Sequence, residues 1–354
     1  MHIPDNYLSA STCLVLTLAT VPVWRHSIRK ATREFPKERF SALGVAAAFS
    51  FLAMMFNVPL PGGSTGHAVG GTLLAILLGP EAACLSLTIA LAIQAFLFGD
   101  GGVIALGANC FNMAFLLPFG GYCVYAALRR VVRPKPAGPV DMCLVGIASY
   151  VGINLAALAA GIEFGLQPLL FHTPEGQALY CPYPLSVSVP AMALGHLTVF
   201  GLAEVVFSVF VYAFVCRSAP GFATNPAFFS ASIADEATES ATRPASKFAP
   251  VYLLLAILAL ASPLGLLADG TAWGEWGVDE IAELTEDGAE LGYTPDGMAN
   301  GFQWSALVPD YAVAGLPDWI GYVLSAVAGV ALSVVLFKLA TLLVRRETPE
   351  PEQV

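Results

Sequence analysis

Three potential nitrogen ligands for a metal ion lie within the first two residues, in the run Met1-His-Ile-Pro-Asp5. A free α-amine, the backbone nitrogen of His2 and the Nδ1 atom of its imidazole can close two fused chelate rings on one cation. Three coplanar nitrogens suit a divalent ion with square-planar or tetragonal preference, which favours nickel, copper or cobalt over zinc or magnesium. Pro4 lacks an amide N–H and stiffens the chain that leaves the site. The sequence therefore predicts a transition-metal site at its amino terminus.

A fourth nitrogen is available from His67, which lies in the Gly-rich segment Asn57–Gly71. The glycines of this segment allow one backbone to approach another closely. The segment is not a phosphate-binding loop, because no Lys-Ser/Thr follows the glycines. Taken alone, a histidine in the position of His67 is more often a satisfied interfacial residue than a ligand, and a His at position 2 usually has no role. The combination of the two favours metal ligation.

The amino terminus differs from a signal peptide in its charges. Asp5 precedes the first apolar run and Arg25 follows it, whereas a signal peptide carries its positive charge first. We therefore expect Met1 to remain on the protein, and the bulky His2 disfavours its removal.

The composition indicates a membrane protein. Hydrophobic residues make up 56% of the 354 residues and charged residues 12%, whereas soluble domains contain about 25% charged residues. The net charge of −10 argues against nucleic acid as a partner. The seven cysteines form no C-x-x-C pair and are expected to be small buried hydrophobes rather than zinc ligands or disulfides.

The distribution of charge predicts the topology. All sixteen Lys and Arg residues fall in four places, namely 25–39, 129–135, 217–247 and 338–346. Positive charge is retained on the cytoplasmic side of short loops. Residues Asp269–Asp318 hold eleven acidic residues and no cation, so this stretch is expected outside. There it is expected to concentrate divalent cations and to assist their delivery without forming the metal site.

Nine apolar segments connect these places and alternate across the membrane. They are Leu8–Trp24, Phe40–Val58, His67–Gly79, Ala82–Phe98, Val103–Leu128, Met142–Gly161, Val189–Cys216, Ala249–Ala268 and Trp319–Val344. The sequence thus predicts an all-α membrane protein with an external N-terminus and a cytoplasmic C-terminus. It consists of a seven-span bundle (1–217), a polar cytoplasmic linker (218–248) and a two-span module (249–354). The third segment is too short to span alone and is expected to be tilted or to enter beneath irregular backbone.

Five stretches closely resemble the substrate-binding membrane subunit of cobalt/nickel energy-coupling-factor transporters, the CbiM/NikM type. They are Met1–Asp5, Asn57–Gly71, Leu78–Pro80, Gln94 with Phe98–Gly102, and Gly107–Met113. The resemblance implies seven spans and metal binding by the amine of Met1, the backbone and ring nitrogens of His2, and His67. It also implies a cell-membrane importer that works with a coupling transmembrane subunit and ATPase subunits, typically for cobalamin biosynthesis. The chain itself has no ATP-binding motif.

The C-terminal part resembles the two-span accessory module named for its Pro-Asp-Gly-Leu-Glu motif, the CbiN-like component. The resemblance rests on Tyr293–Met298 and Pro309–Gly315. Met298 and Ala299 replace the Leu-Glu of the motif, which argues against metal contact by that position.

Several further residues are candidates for supporting roles. Gln94, Asn109 and Asn112 lie in apolar helices and need buried partners, either around His2 and His67 or between helices. Asp100 is expected to be a solvated loop carboxylate. A stripe of small residues faces either the coupling subunit or the bundle interior; it consists of Ala42, Ala46 and Ser50.

The sequence favours capture of Co(II) or Ni(II), with a preference for cobalt from the likeness of the N-terminal half to the cobalt branch. A membrane hydrolase that uses His196, Glu204 and a metal is the alternative in another class. His196 and Glu204 lie eight residues apart in one apolar segment, so the simpler interpretation is a buried pair that stabilises the bundle. A structural membrane subunit without a ligand is the third interpretation.

Overall fold

The computed structural model describes residues 1–34, 37–61, 63–219, 249–268, 270–283, 285–286 and 289–343. Most of them are helical, and the two sheets found among them are short two-stranded hairpins. Six helices within these ranges are long and apolar enough to cross a membrane: Pro80–Phe98, Leu106–Val132, Pro139–Leu170, Leu185–Ser218, Ala249–Leu267 and Asp318–Ala340. The predicted all-α membrane fold is therefore confirmed, whereas the count of nine spans stays a prediction.

The longer helices of the N-terminal part are α1 (Ala10–Glu34), α2 (Lys37–Met54), α3 (Gly71–Leu78), α4 (Pro80–Ile93), α5 (Leu106–Asn109), α6 (Leu117–Val132), α7 (Pro139–Leu170), α8 (Leu185–Leu197) and α9 (Val199–Ser218). Beyond the linker, the helices are α10 (Ala249–Ala261), α11 (Val278–Ile281), α12 (Asp296–Ala299) and α13 (Asp318–Leu343). The strands are β1 (Val58–Leu60), β2 (Ser64–Gly66), β3 (Thr285–Glu286) and β4 (Ala289–Glu290).

The short segment that contains His67 is built from a hairpin and a buried helix. Strands β1 and β2 pair in antiparallel fashion, with Val58 opposite Gly66. Helix α3 follows and has only eight residues, all of them buried. A Cβ atom at Gly71 would lie 2.4 Å from the side chain of Leu117, so glycine is needed where α3 packs against α6. The hairpin thus brings His67 inward to the start of a helix that lies wholly inside the bundle.

Two π-helical turns interrupt the helices of the N-terminal bundle. One covers Gln94–Phe98 at the end of α4, and the other covers Cys110–Leu116 between α5 and α6. A π turn adds one residue to a helical turn and often occurs at functional sites. The three amides predicted to need partners lie in these turns or next to them.

The C-terminal module packs directly on the N-terminal bundle. A Cβ atom at Gly44 in α2 would lie 3.0 Å from the Cα atom of Val334 in α13. A hydrogen bond links the hydroxyl of Tyr322 to the carbonyl of Met55 at 3.3 Å. Most of the predicted linker, residues 220–248, lies outside the described residues. Cys13, Cys84, Cys110 and Cys181 are buried as predicted, whereas Cys123 and Cys143 are exposed.

Candidate metal site

Asn109 holds the amino-terminal strand in place. Its side-chain oxygen accepts a hydrogen bond from the backbone nitrogen of Ile3 at 2.8 Å, and its side-chain nitrogen donates to the Ile3 carbonyl at 3.0 Å. The backbone nitrogen of Gly102 donates to the same carbonyl at 2.8 Å. The Asn109 side chain therefore bonds the Ile3 backbone as a neighbouring β-strand would, and it fixes the residue that follows His2. This position agrees with the interpretation in which Asn109 lies around His2 and His67.

Asp5 fixes the strand from its other end. Its carboxylate accepts hydrogen bonds from the backbone nitrogens of Val103 and Ile104 at 2.9 and 2.8 Å. A Cβ atom at Gly102 would lie 2.5 Å from the Asp5 nitrogen, so only glycine allows this approach. The first five residues are thus held on both sides by the loop that precedes α5.

The two predicted imidazole ligands lie next to each other. The Nε2 atom of His67 is 3.3 Å from the Nδ1 atom of His2, and both side chains are buried. Two nitrogens at right angles on one cation would be about 2.9 Å apart, given metal–nitrogen bonds near ~2.1 Å. The observed separation is therefore close to that of two ligands that share an ion.

The tautomer of His67 suits metal binding. Its Nδ1 atom lies 3.2 Å from the carbonyl of Ala68, which can only accept, so Nδ1 carries the proton and Nε2 has the lone pair. His67 precedes α3 and lies outside the membrane-spanning helices. Burial, and after it the nearby His2 and amino terminus, lower the pKa of its imidazole well below the ordinary value. The ring is therefore neutral at neutral pH.

The amine of Met1 contacts the C-terminal module. It donates to Glu275 Oε1 at 2.8 Å, and the Met1 side chain is buried. The hydroxyl of Tyr7 donates to the carbonyl of Trp276 at 2.9 Å, and the nitrogen of Trp273 donates to the Ser64 hydroxyl at 3.0 Å. The acidic loop was expected to act at a distance, whereas the structure places part of it directly over the predicted ligands.

Asp100 is not a solvated loop carboxylate as the sequence suggested. One of its oxygens lies 3.1 Å from His2 Nδ1, and the other accepts hydrogen bonds from the Gln94 side chain at 3.0 Å and from the Tyr311 hydroxyl. Burial and the charge of Asp100 raise the pKa of Tyr311 well above its ordinary value, so the hydroxyl remains a donor. His2, Asp100 and Glu275 offer ligand atoms that all lie within 4.8 Å of one another.

Gln94 and Asn112 differ in their relation to the site. Gln94 reaches it indirectly, because its hydrogen bond holds Asp100 beside His2. Asn112 instead donates to Glu163 at 2.7 Å within the helical bundle. The structure therefore brings Asn109 and Gln94 toward the predicted ligands and gives Asn112 the alternative role of joining helices.

Glu204 supports the segment of His67 and does not pair with His196. Its carboxyl group accepts hydrogen bonds from the backbone nitrogens of Val69 at 2.7 Å and Gly70 at 3.0 Å. The helix breaks between the two residues at Thr198, where φ is −113° and ψ is −98°. His196 instead bonds through Nδ1 to the carbonyl of Met192 at 2.8 Å. The sequence marks Glu204 as unusual because it is an acidic residue in an apolar segment. It does not reveal the partner, because the backbone nitrogen of Val69 lies 135 positions away and no side chain of Val69 takes part in the bond.

The stripe of small residues lies in the interior of the helical bundle. Ala42, Ala46 and Ser50 are all buried, and the Ser50 hydroxyl donates to the carbonyl of Val69 at 2.6 Å. This is the internal packing that the sequence left open as one of two interpretations. A contact of this stripe with a coupling subunit stays a prediction.

Two families account for nearly all of the chain. Residues 2–222 match the CbiM family, described as the cobalt uptake substrate-specific transmembrane region, and residues 247–346 match the PDGLE domain. The first match ends and the second begins within the predicted linker, residues 218–248.

Relatives with both parts fused in one chain are found in bacteria. The chain is 47% identical to the probable fused nickel transport protein LarMN of Lactiplantibacillus plantarum, over 96% of this chain and 97% of that one. It is 45% identical to the fused nickel transport protein NikMN of Rhodobacter capsulatus, over 94% and 95% of the two chains. A crystal structure of a truncated transition metal transporter matches 61% of this chain and 99% of that chain, with 52% identity and a TM-score of 0.57.

Proposed function

Because this chain belongs to the CbiM family and is a component of a metal transporter in the membrane, we propose that it captures Ni(II) or Co(II) with four nitrogens. These are the amine of Met1, the backbone and Nδ1 nitrogens of His2, and Nε2 of His67. The observation that carries the proposal is the 3.3 Å approach of the two imidazoles beside the amino terminus. The cation is the transported substrate.

The backbone nitrogen of His2 supports this set of ligands. Among the described residues it has no hydrogen-bond acceptor, although Ile3, the next residue, is fully bonded. A buried backbone nitrogen without a partner is rare. Coordination of a cation by the deprotonated nitrogen would satisfy it. Glu275 accepts a hydrogen bond from the amine at 2.8 Å, and an Asp100 oxygen lies 3.1 Å from His2 Nδ1, so each of these two ligands contacts a carboxylate until the cation arrives.

We propose Ni(II) as the preferred substrate and Co(II) as the second. Four nitrogens bind both ions, and the general affinity order places nickel above cobalt. The sequence alone favoured cobalt, but the fused relatives at 45–47% identity are named nickel transport proteins. The family description names cobalt uptake, so both ions belong in the test.

We propose that the site faces the extracytoplasmic side and that partner subunits supply the energy. The clusters of Lys and Arg place the opposite ends of the helices in the cytoplasm by the positive-inside rule. The chain contains no nucleotide-binding motif, so a coupling subunit and ATPases are required for import. Cobalamin synthesis would consume imported cobalt.

The test is equilibrium metal binding by the purified full-length protein. Wild-type protein is expected to bind one Ni(II) per chain, and the substitutions His2→Ala and His67→Ala are expected to weaken binding at least about 100-fold. Adding one Ala before Met1 moves the amine out of chelating position and is expected to be as harmful as His2→Ala. The exposed His172 supplies the control, since His172→Ala is expected to bind normally. Wild-type affinity in the extended protein would exclude the proposed site.

A further inference from the structure

A cavity of about 200 Å³ lies beside the amino terminus, and Met1 is the one proposed ligand of the four-nitrogen site among its lining residues. It is lined by Met1, Thr65, Met192, His196, Phe200 and Trp273, among others. Its volume is several times the minimum that holds one water, which is enough for a cation with part of its hydration shell. The cavity therefore adjoins the predicted ligands and has room for their substrate.

His196 presents a free ring nitrogen at this cavity. Its Nδ1 atom lies 2.8 Å from the carbonyl of Met192, so Nδ1 carries the proton and Nε2 keeps the lone pair. Among the described residues, no hydrogen-bond donor contacts Nε2, although the side chain is 95% buried. A neutral imidazole with a fixed tautomer is a common ligand of transition metals.

Close packing holds His196 in this position. A Cβ atom at Gly201 would lie 2.1 Å from the His196 carbonyl, and one at Gly195 would lie 2.6 Å from the Phe200 ring. The Phe200 ring also fills the space beside Gly66, where a Cβ atom would lie 2.7 Å from it. The same aromatic ring thus contacts both sides of the cavity, next to His67 on one side and His196 on the other.

The acidic loop of the C-terminal module closes the cavity. Trp273 lines it and donates from its backbone nitrogen to Ser64 at 3.0 Å. The hydroxyl of Thr65 donates to the carbonyl of Gly270 at 3.3 Å. These two bonds tie the loop to strand β2, immediately before His67. Entry from this side therefore passes between the loop and the hairpin.

We propose that this cavity is a waiting site for the divalent transition-metal cation, in which His196 Nε2 is the first protein ligand. The cation then exchanges its remaining waters for the amine, His2 and His67. This inference rests on the proposed function, because it places the waiting site on the route to the four nitrogens. A ligand that binds the cation only on its way to the final site lowers the free-energy barrier to both binding and release. It leaves the equilibrium affinity of the final site unchanged.

The first experiment measures the rates of Ni(II) binding and release by the full-length protein in stopped flow. His196→Ala is expected to slow both rates about tenfold and to keep the equilibrium dissociation constant within about twofold of wild type. His172→Ala is the matched control with unchanged rates. Unchanged rates in His196→Ala would overturn the inference. A loss of equilibrium affinity as large as that of His2→Ala would also overturn it, because His196 would then belong to the final site.

Two further measurements test the inference, one with the substitution His196→Gln and one with His196→Ala added to a protein that carries His2→Ala. His196→Gln retains a donor for the Met192 carbonyl but lacks the ring nitrogen, so slow binding by this folded protein supports the inference and wild-type rates contradict it. In a His2→Ala background, one weakly bound Ni(II) is expected, and it is expected to disappear when His196→Ala is added. Weak binding that persists in the double variant overturns the inference. Failure of wild-type protein to bind Ni(II) would instead contradict the proposed function.

Discussion

At the scale of single residues, the candidate site depends on groups that position the ligands. Glu204 and Asn109 contact the backbone next to His67 and His2, and Asp100 contacts His2 itself. Glu204 lies in α9 and Asn109 in α5, and Asp100 is held by a hydrogen bond from Gln94 in a π turn, whereas the ligands lie on irregular backbone. The rigidity of the site therefore comes from the residues around it, as expected for metal sites whose outer partners orient the ligands.

Replacement of Glu204 is expected to weaken metal binding without removing a ligand. Glu204→Gln keeps one acceptor for the nitrogens of Val69 and Gly70 and loses the other, which leaves a buried donor poorly bonded. We expect the affinity for Ni(II) to fall about tenfold, or about 1.4 kcal/mol. Titration of the purified protein measures this change. Glu163→Gln is the matched control, because Glu163 is equally buried but bonds Asn112. Equal affinities in the two variants would show that Glu204 does not position His67.

Acid is expected to release the cation. Protons compete with the metal for each nitrogen ligand, so affinity falls as pH falls. The pKa of His67 is lowered by burial, so this ring gives up no proton on binding at neutral pH and is lost as a ligand only when the pH falls through its depressed pKa. Equilibrium titrations from about pH 8 to about pH 5 measure the slope, and a flat profile would contradict nitrogen ligation.

At the scale of secondary-structure elements, the second π turn separates two amides that look equivalent in the sequence. Asn109 precedes this turn and bonds to the strand of Ile3, whereas Asn112 lies within it and bonds to Glu163. The three-residue spacing would place both on one side of a regular helix. The structure instead directs one to the amino terminus and the other to α7.

The pair Asn109 and Asn112 provides an internal comparison. Asn109→Ala removes both hydrogen bonds to Ile3 and frees the strand that carries the amine and His2, so the affinity for Ni(II) is expected to fall about tenfold or more. Asn112→Ala is expected to reduce thermal stability and to leave the affinity within about twofold. Melting temperature and metal titration on both variants separate the two effects. Equal losses of affinity would show that the amino-terminal strand needs no anchor.

The apolar pattern predicts the positions of the helices well, because each predicted segment overlaps one helix or a series of joined helices. The first boundary was placed too early. The predicted segment ended at Trp24, whereas α1 continues to Glu34. The basic part of α1 beyond Trp24 is also helical, and within it Lys30 donates a hydrogen bond to Glu81 of α4 at 2.9 Å. Long cationic side chains can place their charges away from the apolar region, so charge alone did not mark the end of the helix.

At the scale of the whole molecule, the contacts that complete the site join distant parts of the chain. The Met1–Glu275 contact spans 274 positions, and that of Gln94 with Tyr311 spans 217. Local chemistry predicts Met1, His2 and His67 as ligands, and the structure places the two imidazoles 3.3 Å apart. It could not predict Glu275, Asp100 or Tyr311 around them, because their role depends on how the C-terminal module packs on the bundle.

Truncation near residue 230 tests the role of the C-terminal module. The four nitrogen ligands remain, so equilibrium binding of Ni(II) is expected to stay within about tenfold of the full-length value. Release of the cation into a chelator is expected to be faster, because Glu275, Trp273 and Trp276 no longer cover the site. Capture at low metal concentration is expected to be slower, chiefly at low salt, because the field of eleven acidic residues is lost. A folded truncated protein that binds no Ni(II) would show that the module supplies a ligand.

The contact of Glu275 with the Met1 amine also bears on why the two parts share one polypeptide. Residues 218–248 tie the loop covalently to the bundle that it covers. Such a tether gives the loop an effective concentration on the order of millimolar at the site. A loop on a separate chain would leave the site whenever expression was low or the membrane was diluted with lipid. In the fused protein, every metal site keeps its own loop at any dilution and in a fixed one-to-one ratio.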